Sequence, residues 1–171
     1  MKKSLLLVAI AFLCTMATIS EAQRRPPLEP QVDQIIVKLE GTTPWHNTGL
    51  LLNPGDRVEF KATGHVCFSN GHPESCVGPD GYAPGHPNPP AAYENDYRSF
   101  DAVYCDDPKM DWPHASLMAR DGNGMFYIGR DRVITNRRGN LEIGINDCTF
   151  TGDWYNTGSF SVVIKVVRGG R

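Results

Sequence analysis

The chain is predicted to fold as an all-β sandwich, on three observations. Apolar and polar residues alternate in Val58-Glu59-Phe60-Lys61-Ala62 and in Leu141-Glu142-Ile143-Gly144-Ile145, and Phe160, Val162, Ile164 and Val166 take every second position. Successive side chains of a strand point to opposite faces, so this spacing buries one face and leaves the other in water. The runs are short and separated by Gly, Pro, Asn and Asp, the residues that turns demand. No stretch carries the three-to-four spacing of an amphipathic helix, and no internal repeat is visible.

Taken in order, the first segment is a leader. Lys2 and Lys3 precede an apolar run from Leu5 to Ala17, and Ser20-Glu21-Ala22 closes it with small residues. This is the pattern of a secretory signal peptide spanning 1–22, which sends the mature chain outside the cytoplasm, secreted or periplasmic. The apolar run falls short of the roughly 20 residues a membrane-spanning helix needs, so no membrane insertion is expected. Residues 23–33 are rich in Pro and Arg, lack periodicity and read as a linker. Residues 34–171 then form a single domain, within the usual size of one hydrophobic core.

Within that domain the strand-like runs are Ile35–Leu39, Gly49–Leu52, Arg57–Ala62, Ser116–Arg120, Met125–Ile128, Arg132–Thr135, Leu141–Ile145 and Ser159–Val167. Trp45 is expected in the core and His46 on a strand surface. Asp56 and Asp80 fall in Pro-Gly-Asp and Gly-Pro-Asp-Gly turns, which account for them on their own. Asp121-Gly122-Asn123-Gly124 lacks the alternation and closing Glu of an EF-hand loop and reads as a hairpin turn. His114, after Pro113, has no obvious partner in sequence. The stretch 78–113 is dense in Pro, Gly, Asn, Asp and Tyr and reads as a structured loop insertion, since loops this long are usually functional.

Charge excludes some partners. The whole chain has a net charge of −2, and its Arg pairs are too short to form a basic patch. Nucleic acid and anionic membrane are therefore not expected ligands. Loss of the leader leaves Cys67, Cys76, Cys105 and Cys148, an even number in an exported chain, which favours two disulfides among three possible pairings. The preferred set is local Cys67–Cys76 with distant Cys105–Cys148. A zinc site of Cys67, Cys76, His65 and His72 is the weaker reading, because its spacing is unusual and the compartment oxidising.

The last quarter carries the chemistry. Ile145-Asn146-Asp147 ends one strand run, and Asn156-Thr157-Gly158-Ser159-Phe160 opens the next. Asp147 and Asn156 thus flank a short loop rich in Gly, Thr and Asp. Calcium takes roughly 6–8 oxygen ligands at about 2.3–2.6 Å from carboxylates, carboxamides and loop carbonyls, which is the donor set this loop supplies. Turn formation is the competing explanation for the same residues.

Several motifs in fixed order resemble one family. They are Trp45-His46-Asn47-Thr48-Gly49-Leu50, Asn53-Pro54-Gly55-Asp56-Arg57-Val58, Ala62-Thr63-Gly64, Gly78-Pro79-Asp80-Gly81, Leu117-Met118-Ala119-Arg120, Ile145-Asn146-Asp147 and Asn156-Thr157-Gly158-Ser159-Phe160-Ser161-Val162. Together they resemble the PA-IL-like bacterial calcium-dependent galactose-binding lectins over roughly residues 34–167. The resemblance implies a jelly-roll-like, galactose-binding-domain-like β-sandwich holding one calcium that coordinates sugar hydroxyls. It implies Asp147 as a ligand of both calcium and sugar, and Asn156 as a second side-chain ligand. Tyr155 stands where a neighbouring Asn would be, and Asp153 is the substitute. Backbone carbonyls would come from Thr151 or Gly152 and from Phe68 or Ser69. His86, in His86-Pro87, is the implied sugar-contacting histidine, with His72 as the other candidate, and Thr151 also lies on the sugar side.

The expected function is calcium-dependent carbohydrate binding without catalysis, with a galactose-like sugar as ligand. An adhesion or protein-interaction module with a structural calcium is the alternative. A small secreted hydrolase ranks lower. Asp101, Asp106, Asp107 and Asp111 offer paired carboxylates, but neither a Gly-x-Ser-x-Gly elbow nor His-Glu-x-x-His is present. Sheet edges and termini offer surfaces for a homo-oligomer, and nothing in the sequence selects one.

Overall fold

A computed structural model describes residues 29–68, 75–82, 112–147 and 156–169. Its strands are β1 (Val32–Glu40), β2 (Trp45–Leu52), β3 (Arg57–Cys67), β4 (Cys76–Val77), β5 (Leu117–Asp121), β6 (Gly124–Tyr127), β7 (Asp131–Thr135), β8 (Gly139–Ile145) and β9 (Thr157–Val167). One sheet runs β1-β9-β3-β4, with β7 also on β3, and the other runs β2-β8-β5-β6. The pairings are nested and all antiparallel: β1 with β9, β2 with β8, β3 with β7 and β5 with β6. Because successive pairs fall in alternate sheets, the chain winds between two layers as a jelly roll does.

Every strand-like run of the sequence lies in or overlaps a strand. Alternation put the inward set in place: Val58, Phe60, Ala62 and Val66 of β3 and Phe160, Val162, Ile164 and Val166 of β9 are all buried. Opposite them lie Leu117 and Ala119 of β5 and Leu141, Ile143 and Ile145 of β8. Phe60 and Phe126 meet edge to face across the layers, centroids 6.2 Å apart. Burying each such side chain contributes about 1.5–3 kcal/mol. The hairpin turn at Asp121–Gly124 is present, with Asp121 paired to Gly124 and its carboxylate accepting the Asn123 N–H at 2.7 Å.

Several expectations need correction. β1 begins at Val32, two residues inside the segment read as linker, because Val32 and Asp33 pair with Val167 and Val166. β3 runs on to Cys67, past the Ala62 at which the strand-like run was expected to end, and β4 is a short strand the pattern did not show. Trp45 is half-buried and outside the main core. It pairs with Gly144, where a side chain would collide with the indole ring, and the Arg120 guanidinium stacks on it at 4.2 Å. Arg120 in turn donates to Glu142 at 2.5 Å.

Asp56 is more than a turn residue. It is buried, accepts the Asn53 N–H at 2.9 Å, and also binds Arg168 Nη1 at 2.8 Å and the Gly169 N–H at 3.1 Å. Arg168, read as part of a lone tail, therefore ties β9 to two other segments: it also donates to Asp33 and to the Leu51 carbonyl. Asp80 likewise does more than turn the chain, since its carboxylate accepts the Arg130 N–H at 2.7 Å.

Candidate functional site

The register brings three loops to one end of the sandwich. β3 leaves the first sheet beside the start of β9, their last pair being Cys67 with Thr157. β8 leaves the second sheet beside the start of β5, their last pair being Leu117 with Ile145. The chain from β8 to β9 must cross between the layers here, and Asp147 and Asn156 stand at the two ends of that crossing. Cys67 and Cys76 are cross-strand partners on β3 and β4 and form the expected disulfide. That bond consumes both thiolates of the zinc alternative.

Asp147 is fixed by its backbone, the Asp147 N–H donating to the Ile145 carbonyl at 2.8 Å, and its side chain is only 3 % exposed. His114 Nε2 lies 3.7 Å from Asp147 Oδ1 and the imidazole is equally buried. The same ring stands edge to face against Phe68, centroids 4.6 Å apart, and Phe68 packs on Tyr82. The sequence reading of His114 as a residue without a partner is thereby corrected. Nothing local in sequence marked it, because its neighbours Ala115, Ser116 and Leu117 are small or apolar and its contacts come from distant segments.

Asn146, quoted only as part of a motif, proves to be a clamp. It is fully buried, and its Nδ2 donates to the carbonyls of Trp112 at 3.2 Å and Pro113 at 3.1 Å. Its backbone exchanges bonds with Ser116 and Ala115 at 2.8 and 2.9 Å. Across the insertion, the Tyr82 N–H donates to the His114 carbonyl at 2.7 Å and the Leu117 N–H to the Pro79 carbonyl at 2.8 Å. Both ends of the 78–113 insertion are thus drawn together directly beside Asp147.

Asn156 is 2 % exposed, and among the described residues its Nδ2 has no hydrogen-bond partner. An unsatisfied buried amide costs about 1–3 kcal/mol. The oxygen and nitrogen of a carboxamide are told apart only by their bonds. With the amide turned over, the unpartnered position holds an oxygen, the donor that calcium accepts. The carboxylate of Asp147 and the carboxamide of Asn156 are both oxygen donors of the kind a hard cation takes. Among the described residues no group of three His, Cys, Asp or Glu side chains could hold a metal, so any further ligands would be carbonyls, Asn or loop residues.

Of the expected site residues, Asp147, Asn156 and Phe68 lie at this one end. Thr151, Gly152, Asp153, Ser69, His72, His86 and Tyr155 fall outside the described residues. So do Cys105 and Cys148, and the carboxylates Asp101, Asp106, Asp107 and Asp111 considered for hydrolysis.

No protein-family model and no curated protein matches the sequence. Among solved structures the chain is similar to the "EclA N-terminal domain; PllA-like lectin", at 18% identity over 75% of this chain and 92% of that chain, with a TM-score of 0.49.

Proposed function

We propose that the protein is an exported, calcium-dependent carbohydrate-binding domain without catalytic activity, in which a loop-held calcium orients sugar hydroxyls. The reading rests on one observation above others: Asp147 and Asn156, both buried, stand at opposite ends of the crossing between the sheets, and among the described residues the Asn156 amide has no partner. Asp147 and Asn156 would hold the cation together with Asp153 and the carbonyls of Thr151 and Phe68. Bound calcium would supply a Lewis-acidic centre for two vicinal hydroxyls. Asp147 would accept from one of them, and His86 and Thr151 would contact the ring from the loops. A galactose-like sugar is the first ligand to try.

Calorimetric titration of residues 23–171 with calcium after chelation, with and without galactose, tests the proposal. One-site calcium binding that sugar heat requires is the expected result, and Asp147→Asn abolishes both. Calcium binding with no heat from any sugar in a panel would instead favour a structural ion in an adhesion module. No calcium binding would end the reading.

A further inference from the structure

Among the described residues the strands at sheet edges are β1, β2, β4, β6 and β7. Most are blunted, as edges must be if they are not to pair with another chain. β4 has two residues and β6 four. β2 is broken by a bulge between Asn47 and Leu51. β7 is five residues long and opens on the exposed charges Asp131 and Arg132. β1 has none of these devices. Its nine residues carry no Pro and stay in unbroken register with β9, and the charge of its one lysine, Lys38, is met by Glu40 at 2.6 Å. The open backbone groups can be located. At the two ends of the β1–β9 ladder the Gly41 N–H donates to the Gly158 carbonyl and the Arg168 N–H to the Gln31 carbonyl, each at 2.9 Å. Bonded pairs of an antiparallel ladder recur at every second residue. The odd residues 33–39 therefore bond β9, while Val32, Gln34, Ile36 and Lys38 turn N–H and C=O toward the open edge. The Glu40 carbonyl, on that same side, is taken by the Thr43 N–H at 2.9 Å. In the middle of this edge Ile36 is 68% exposed, with Val32 at 49% beside it.

We propose that β1 is a dimerisation edge: the β1 strands of two copies pair antiparallel about a two-fold axis at Ile36, joining their sheets into one. A two-fold contact needs a self-complementary surface, and an open antiparallel edge supplies it, each N–H meeting a C=O of the same strand in the second copy. With the axis at Ile36 the two isoleucines meet. Gln34 then lies opposite the second copy's Lys38, and Val32 opposite its Glu40. On the inner face Ile35 lies opposite Val37 and Asp33 opposite Leu39. No charge opposes a like charge, which would cost stability. An axis one residue away sets Ile36 against Gln34 or Lys38 instead. Edge pairing buries less than the roughly 800 Å² a side of a standard interface, so the expected Kd is on the order of 10–100 μM. β1 runs toward the end of the sandwich where Gly41 meets Gly158, two residues from Asn156. The antiparallel pairing therefore turns the two candidate sites in opposite directions. Where that end binds sugar, as proposed above, the dimer is a two-headed binder that bridges two glycans; the pairing itself does not depend on that reading.

Sedimentation velocity of the purified protein, from about 1 μM to about 1 mM, reads the dimer directly across the expected Kd. Amide exchange followed by NMR at both ends of that range locates it and needs no variant to fold. The N–H groups of Gln34, Ile36 and Lys38 are expected to exchange at least about tenfold more slowly in the concentrated sample, while those of Val37 and Leu39, already bonded to β9, are protected in both. Ile36→Lys sets two ammonium groups against each other at the axis and is expected to weaken the dimer more than about tenfold. It should melt within a few degrees of wild type, because the side chain it replaces is mostly exposed. Val133→Lys, at a comparably exposed position on β7 of the same sheet, is expected to leave the dimer unchanged. A monomer at every concentration, or β1 amides indifferent to concentration, overturns the proposal. So does a Val133→Lys protein that dissociates as readily as Ile36→Lys, which would assign the contact to the open face of the sheet and not to its edge.

Discussion

Arginine 168 offers the sharpest test of how the sandwich is closed. Its guanidinium donates to Asp56 Oδ2 and to the Leu51 carbonyl, each at 2.8 Å, and to Asp33 Oδ2 at 2.7 Å through Nε. One side chain thus joins the end of β9 to the start of β1, the end of β2 and the turn before β3. Truncation in Arg168→Ala removes these bonds unequally. Asp56, 3 % exposed, is left with a carboxylate that has lost its counter-charge, at about 2 kcal/mol for a charge-assisted bond. The Leu51 carbonyl adds about 0.5–1 kcal/mol. Asp33 is one-third exposed and screened by water, so it contributes less than about 0.5 kcal/mol. The total is about 3 kcal/mol, or roughly 10 °C in Tm for a domain of this size. Urea unfolding with calcium concentration held fixed measures it, since a bound ion would otherwise move the apparent stability. Arg168→Lys is expected to recover less than half, because an ammonium cannot span both carboxylates. A loss under about 1 kcal/mol for Arg168→Ala, or full recovery in Arg168→Lys, refutes the account.

Three other predictions concern two perturbed groups and the disulfide. Burial pushes the Asp56 carboxyl upward, but the Asn53 N–H, Arg168 and the Gly169 N–H outweigh it, and the group titrates below its ordinary 3.8. A lowered folded-state pKa gives stability that is present above about pH 4 and lost as pH falls below it. Acid unfolding curves should therefore flatten in Asp56→Asn. Tyr127 moves the other way, raised above 10.0 by burial first and by the Asp80 charge second, so stability is lost as pH rises beyond about 10, and Tyr127→Phe should flatten that limb. The Cys67–Cys76 bond closes a loop of nine residues' separation, worth about 2–3 kcal/mol by chain entropy. Replacing both with Ala should lower the unfolding free energy by that amount, read as a fall in the urea midpoint at unchanged m, and an unchanged midpoint would remove the bond's role.

The sandwich was legible because its strands alternate, and alternation is enforced wherever one face is buried. What the sequence hid has a physical cause in each case. Trp45 looked like core, but Gly144 across the ladder makes room for an indole on the outer face of its sheet, a pairing that only the register shows. His114 and Arg168 gained their partners from segments many residues away. Asp147 and Asn156 were legible as a pair because both adjoin strong strands. Their burial was not, since Asp and Asn have the same turn propensity whether wet or dry.

The glycines of Ala62-Thr63-Gly64 and Asn156-Thr157-Gly158 couple those two motifs across one pair of strands. Gly64 holds φ 97 and Gly158 φ 79, and a Cβ on either would fall on a carbonyl of the facing strand, Ser159 or His65 respectively. The two residues sit two steps apart in one register, where Gly64 pairs with Phe160, His65 with Ser159 and Val66 with Gly158. They let β3 and β9 approach closely through the last turn before the candidate site. Gly158→Ala adds about 1–2 kcal/mol of backbone strain and a backbone collision that no rotamer relieves. It lies two residues from Asn156, so forcing β9 away from β3 displaces that carboxamide relative to the end of β3. The expected outcome is a folded but destabilised protein whose calcium affinity falls more than tenfold, although Gly158 has no side chain to offer an ion. Surface substitution at Ser161, whose side chain is exposed farther along the same strand, should leave calcium affinity unchanged. If Gly158→Ala binds calcium as wild type does, the close approach of β3 and β9 has no part in building the site.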